Sequence, residues 1–424
     1  MLRVIEQEEP PFEPTLAALA TRGETDLLAV EPAVRAILDE IREGGDPALL
    51  SVTQRIDGRT PAPLVFGPDA MREALGSLSA EHRDALTLAA ARIRAFHEHQ
   101  REPGRSFTDS DGVRLGWRIR PLQRVGVYAP GGKARYPSSV LMAAIPARVA
   151  GVREVVVCTP RPTAEVLAAA SIAGVDQVFD LGGAVAVGAL AYGTATVPRV
   201  DKIVGPGNLY VTAAKRLVFG RVAIDGLAGP SEILVVADDH ANPEVVAADL
   251  LSQAEHDEAA YPLLVTLSRS MANRVNAALV AQLARLPRRE VAQASVSTHG
   301  MCFVVRSLDD AARVATTLAA EHLALLVRDP DALFANIDAA GAVFLGDFTP
   351  EAAGDYLAGP SHVLPTGGAV RFSSPLGVYD FVTRTSIIQY DREALCKHAD
   401  AIVSLARLEG LEAHARAVLT RTQG

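Results

Sequence analysis

Val125-Gly126-Val127-Tyr128, the turn Ala129-Pro130-Gly131-Gly132, an apolar run over 138–151 and Val155-Val156-Val157 together decide the fold. The two outer pieces are short, β-branched and apolar throughout, as strands buried on both faces are. The segment between them has the length of a helix and ends on Gly151. Strand, helix and strand in that order make a parallel α/β unit with a right-handed crossover. The pattern then repeats: a helix over 164–173, the strand Gln177-Val178-Phe179, Gly182-Gly183 leading into a helix through Ala191, and the strand Lys202-Ile203-Val204. In such a sheet a ligand lies over the strand carboxyl ends, where 128–132, Gly182-Gly183 and Gly205-Pro206-Gly207-Asn208 all fall. Those glycines suit close approach to phosphates. None completes G-x-G-x-x-G, because Tyr210 stands where a third glycine would, and no G-x-x-x-x-G-K-[ST] occurs. Nucleotide binding and the plainer demand of tight turns therefore both remain open readings.

Upstream, residues 1 to about 120 read as mostly helical. Val34, Ile37, Leu38 and Ile41 recur at helical spacing up to Gly44-Gly45. Ser79 caps a second long helix reaching Gln100, whose His82, His97 and His99 read as solvated. From Gly112 the period changes: Val113, Leu115 and Trp117 alternate with polar residues up to Pro121. Downstream, more strand–helix units follow. They are Ile233-Leu234-Val235-Val236, a helix opening at Asn242-Pro243, Leu263-Leu264-Val265, a helix over 271–283, Cys302-Phe303-Val304-Val305, a helix from Asp309 to near Ala320, and a strand over 323–327. Residues 348–374 read as a long irregular segment, more often a functional loop than a linker. The tail from about Asp391 returns to helical spacing.

The 424 residues suggest two or three domains. A net charge of −9 with no Lys/Arg block argues against a nucleic-acid partner, which needs clustered positive charge. Cys158, Cys302 and Cys396 are scattered and odd in number, and read as buried thiols of a reducing compartment. The N-terminus resembles neither a signal nor a transit peptide. The longest apolar tract, 140–152, is interrupted by Pro146 and Arg148 and is too short to span a bilayer. The expectation is a cytoplasmic protein with no membrane partner.

Four places could carry chemistry. Asp249, Gln253 and His256 fall at i, i+4 and i+7 on one helix face, a site or a solvated stripe. Glu321-His322 sit at a helix-to-strand junction; adjacent side chains normally diverge, so joint action requires a loop-like backbone there. Asp355 and His362 bracket a Gly/Pro segment. Glu409 and His414, five apart, share a site only if the helix bends or the site wraps round it. His240 beside Asp238-Asp239 reads as a turn. The absence of H-E-x-x-H, C-x-x-C and G-x-S-x-G counts against common zinc proteases, zinc ribbons and serine hydrolases. A mixed N/O set drawn from Gln253, His256, Asp355 and His414 would suit zinc or a similar divalent ion. Spacing does not single it out from ten histidines and fifty acids.

Val125 to Gly132, Tyr136-Pro-Ser-Ser-Val-Leu-Met142, Gly205 to Asn208, Ala228-Gly-Pro-Ser-Glu232 and Leu250-Leu-Ser-Gln-Ala-Glu-His256 resemble histidinol dehydrogenase. So do Ala320-Glu-His-Leu323, Gly354-Asp355, His362-Val-Leu-Pro-Thr366 and Ser373-Ser-Pro-Leu-Gly377, in order over nearly the whole chain. The resemblance implies two incomplete Rossmann-like parallel-sheet domains, with small helical N- and C-terminal segments, in an intertwined homodimer. The first domain would be 1–124 with 232–375, the second, on the NAD side, 125–231, and the tail 376–424 would reach the partner's active site. It implies oxidation of L-histidinol to L-histidine through an aldehyde, with two NAD⁺ and one zinc per subunit, in histidine biosynthesis. Zinc would be held by Gln253, His256, Asp355 and His414. Glu321 and His322 match the acid/base pair. Ser231, His362 and Glu409 match substrate contacts, alongside His322 and the four metal ligands. Tyr128 and Asn208 match NAD contacts. Val185 stands where the family usually has an NAD-contacting Gln. Glu409, His414 and His362 would serve the other chain. A relative oxidising another small alcohol, such as a sulfonated diol, is the alternative; a zinc hydrolase or a non-catalytic binding protein on the same scaffold is a third.

Overall fold

The structure, a computed structural model, describes residues 1–22, 27–131 and 136–423; Gly132 of the first glycine turn lies outside them. The chain forms two units, Met1–Gln100 with Gln123–Phe381, and Arg101–Leu122 with Val382–Gly424. The larger unit holds two six-stranded sheets. One runs Arg3–Glu6, Met301–Val304, Tyr261–Thr266, Glu232–Ala237, His322–Leu326, Ala342–Leu345, parallel throughout. The other runs Val65–Phe66, Gln177–Phe179, Glu154–Cys158, Arg124–Tyr128, Lys202–Val204, Ala223–Ile224, parallel except at Val65–Phe66. The expected pair of Rossmann-like sheets is present.

Helices cover both faces of each sheet, which is why the central strands show no alternation. Val125, Val127, Val155, Val156 and Val157 are wholly buried, and each such side chain contributes about 1.5 kcal/mol or more. The first long helix, Leu27–Asp57, breaks at Gly45, whose φ of 57° lies in the left-handed region that glycine tolerates. The smaller unit is an antiparallel sheet, Val382–Gln389, Arg114–Pro121, Arg105–Thr108, with helices Arg392–Leu408 and Glu412–Thr422. A strand therefore precedes the helices of the tail. The alternation from Val113 to Trp117 belongs to its central strand.

Three expectations need correction. Residues 348–374 contain a helix, Glu351–Tyr356, and a 3₁₀ turn, Ala369–Arg371. Cys396 is exposed, while Cys158 and Cys302 are buried. His97 is also buried: it lies on the inner face of Ala80–Glu98 and donates from Nδ1 to the Ile93 carbonyl. Burial lowers the His97 pKa below 6.5. The unfolded chain then binds a proton near pH 6 that the folded chain refuses, so this contribution is complete above 6.5 and shrinks as pH falls below it. Melting temperatures at pH 7.5 and 5.5 should differ more for the wild type than for His97→Leu.

Candidate active site

A cavity of about 500 Å³ lies where the carboxyl edge of the second sheet faces the amino edge of the first. Gly207 and Asn208, after Lys202–Val204, form one wall; Ser231, Glu321 and His322, at the starts of Glu232–Ala237 and His322–Leu326, form the other. The carboxyl-edge rule thus describes the second sheet only. Asn208 caps Leu209–Val218, accepting from the Tyr210 and Val211 amides. Gly205 (φ 110°) packs so close to the Tyr128 carbonyl that any Cβ would collide with it.

Glu321 and His322 follow a helix that ends at Ala319, a non-glycine residue at φ 46°. Such a conformation costs about 1–3 kcal/mol and persists where its surroundings hold it. It turns the chain out of the helix just before this pair, and Glu321 Oε2 lies 3.6 Å from His322 Nδ1. His322 Nδ1 donates to the Glu232 carbonyl at 3.0 Å, so Nε2 is the unprotonated nitrogen. That Nε2 is buried without a hydrogen-bond partner. Burial lowers the His322 pKa to about 4. Glu321 Oε2 accepts from the Glu232 amide at 2.8 Å. Burial, then the nearby Glu232 charge, raises the Glu321 pKa well above 4.5.

Gln253 ends the helix Pro243–Ala254 and His256 follows in the next turn; both line the cavity. Asp249, one turn earlier, is buried in the helix and does not line it; burial raises its pKa to about 6. One end of the Gln253 amide is 2.5 Å from Glu351 Oε1 and the other 3.2 Å from the Glu232 amide. With His322 Nδ1–H given to Glu232, the Gln253 nitrogen has its acceptor in Glu351. Asp355 Oδ1 and Glu351 Oε1 each lie 3.8 Å from His322 Nε2. His322, Glu351 and Asp355 offer donor atoms all within 4.8 Å of one another. His362 donates from Nδ1 to the Asp355 carbonyl and has Nε2 3.4 Å from Ser139 Oγ. It lines the cavity of its own chain, contrary to the expectation that it serves the other.

Glu351 escaped the sequence reading. Taken as part of a loop, it was not seen to share a helix face with Asp355 at i+4. Burial and the Asp355 charge raise its pKa well above 4.5. Among the described residues no Lys or Arg pairs with Glu351 or Asp355. With no compensating cation among the described residues, two carboxyls, an amide, imidazoles and an orphaned nitrogen are a donor set that fits a divalent ion.

The remaining expected residues are dispersed. Tyr128 is buried and its hydroxyl accepts from the Gly183 amide. Val185 is buried in the first turn of Gly183–Tyr192. Glu409 and His414 are exposed in the smaller unit, on either side of Gly410 (φ 75°), where one helix turns into the next.

Residues 20–422 match the family model for histidinol dehydrogenase. The histidinol dehydrogenase of Syntrophotalea carbinolica is 52% identical, with 99% of each chain aligned, and that of Aquifex aeolicus 49% identical over 98% of each. The crystal structure of histidinol dehydrogenase from Elizabethkingia anophelis superposes with a TM-score of 0.94 at 33% identity, covering 100% of this chain and 98% of that one. A probable aldehyde dehydrogenase from Listeria monocytogenes shares the fold alone, at 14% identity and a TM-score of 0.52 over 89% of this chain and 96% of that one. The chain belongs to the histidinol dehydrogenase family of oxidoreductases.

Proposed function

We propose that this chain oxidises L-histidinol to L-histidine through L-histidinal, with two NAD⁺ and one zinc ion per subunit, as a cytoplasmic homodimer with shared active sites. The observation that carries the proposal is the unpaired His322 Nε2 beside Glu321, 3.8 Å from the Asp355 and Glu351 carboxyls, which have no Lys or Arg partner among the described residues. No helix among the described residues is long and apolar enough to cross a membrane.

Gln253, His256 and Asp355, with His414 of a second copy, would hold zinc. When bound, the ion supplies a fixed anchor for the imidazole and amine of the substrate. Tyr128, Asn208 and the segment around Val185 would meet NAD⁺, which supplies the acceptor for both hydrides. His322, neutral at pH 7 because burial depresses its pKa, takes the alcohol proton on Nε2. Glu321 takes a proton from the water that adds to the aldehyde. Ser231 and His362 face the same space and would hold the substrate's polar groups, while Glu409 of the second copy would accept from its N–H groups.

The test is the NADH yield per histidinol from purified, zinc-loaded protein. Two supports the reading; one means the reaction stops at the aldehyde. None, with NADH formed from a sulfonated diol instead, would move the protein to another substrate. The Val185 position gives a separate prediction. A hydrogen bond regained through Val185→Gln is worth about 1 kcal/mol, so the KM for NAD should fall about fivefold. An unchanged KM would leave Val185 a packing residue only.

A further inference from the structure

Arg22 and Glu232 form the most buried ion pair among the described residues, with side chains 1% and 0% exposed. Stability alone is a poor reason for such a pair. Both charges lose their hydration on burial, and apolar side chains of similar volume often serve as well or better. The bonds around Glu232 show another use. Its Oε2 accepts from Arg22 at 2.6 Å and from the Glu321 amide at 3.3 Å; its Oε1 accepts from the Gly367 amide at 2.8 Å. Its own amide donates to Glu321 Oε2, and its carbonyl accepts from His322 Nδ1. Arg22 is anchored in turn by the carbonyls of Leu19 and Leu318, the last residue of the helix that leads into Glu321.

One carboxylate thus ties together the start of the chain, the end of that helix, the loop at Gly367 and the residue read as the water-activating base. Among the described residues Glu321 Oε1 has no hydrogen-bond partner, so the clamp on Oε2 leaves Oε1 as the atom able to receive a proton. We infer that Glu232, neutralised by Arg22, is a positioning residue for Glu321: its carboxylate holds the Glu321 main chain, and its own amide fixes which Glu321 oxygen faces the cavity. The Glu232 side chain reaches the Glu321 main-chain amide and no atom of His322, while the Glu321 carboxylate and the His322 ring are each held by the Glu232 main chain. Loss of that side chain therefore falls on the second oxidation and spares the first. The inference rests on the two-step reading given above.

Glu232→Gln strands the Arg22 guanidinium and risks misfolding, so the paired variant Arg22→Met with Glu232→Gln is made beside it. Each is assayed in single turnover with NAD, once from histidinol and once from histidinal, with melting temperature and bound zinc measured on the same samples. A displacement of about an ångström costs up to about a hundredfold. Oxidation of histidinal should slow between about tenfold and a hundredfold in kcat, with KM, zinc content and the histidinol step close to wild type. Equal losses in the two half-reactions of a folded variant, or no loss in either, would overturn the inference. A wild-type control that makes no NADH from histidinal defeats the two-step reading itself, and the two failures are told apart by that control.

Discussion

Glu321→Gln should reduce the NADH yield per histidinol from two to one. An amide cannot take the proton of the attacking water, and losing a positioned base costs about a hundredfold to ten-thousandfold. On the proposed course the first oxidation needs a base only at the alcohol, the role given to His322 Nε2. The aldehyde should therefore accumulate, detectable by trapping with a hydrazine, while bound zinc stays at the wild-type level. An equal loss in both oxidations would mean that Glu321 also serves the alcohol step.

His414→Ala and Glu321→Gln should each form an enzyme that completes almost no turnovers to histidine, yet mixing and refolding the two should restore about a quarter of wild-type histidine formation. The arithmetic follows from a two-fold dimer in which each site borrows the other chain's tail. Half of the dimers formed are mixed. In each, the site with an intact Glu321 receives the intact His414, and the other site is doubly defective. Sites built from a single chain would gain nothing from mixing. The refolded mixture, assayed by histidine yield against each parent, decides between the two arrangements.

Much of the fold was legible because the central strands carry their own signal. Val155-Val156-Val157 and Lys202-Ile203-Val204 can be little else between glycine-ended helices, and both lie where the spacing put them. Arg3–Glu6 and Val382–Gln389 were not legible. One is a four-residue edge strand whose parallel partner lies some three hundred residues away, and the other is largely exposed, so neither shows a buried pattern. Of the site, Glu321-His322 could be found as a polar pair at a junction, and Gln253 with His256 as neighbours on one helix. Their convergence with Asp355 and Glu351 depends on strand order, which no local spacing encodes. His97 stands next to Glu98, His99 and Gln100, which suggests a wet helix end, whereas helical geometry turns it inward on the face of Ile93.

The meeting of opposite sheet edges also polarises the chamber. Pro243–Ala254 ends at the wall formed by Gln253, Glu321 and His322, presenting the partial negative charge of its final carbonyls. Pro137–Ala150 and Leu209–Val218 begin at the facing wall, presenting partial positive charge. On the proposed reaction an ammonium-bearing alcohol and a diphosphate would be drawn to opposite sides, and a backward-bound substrate would be disfavoured before any side chain is consulted.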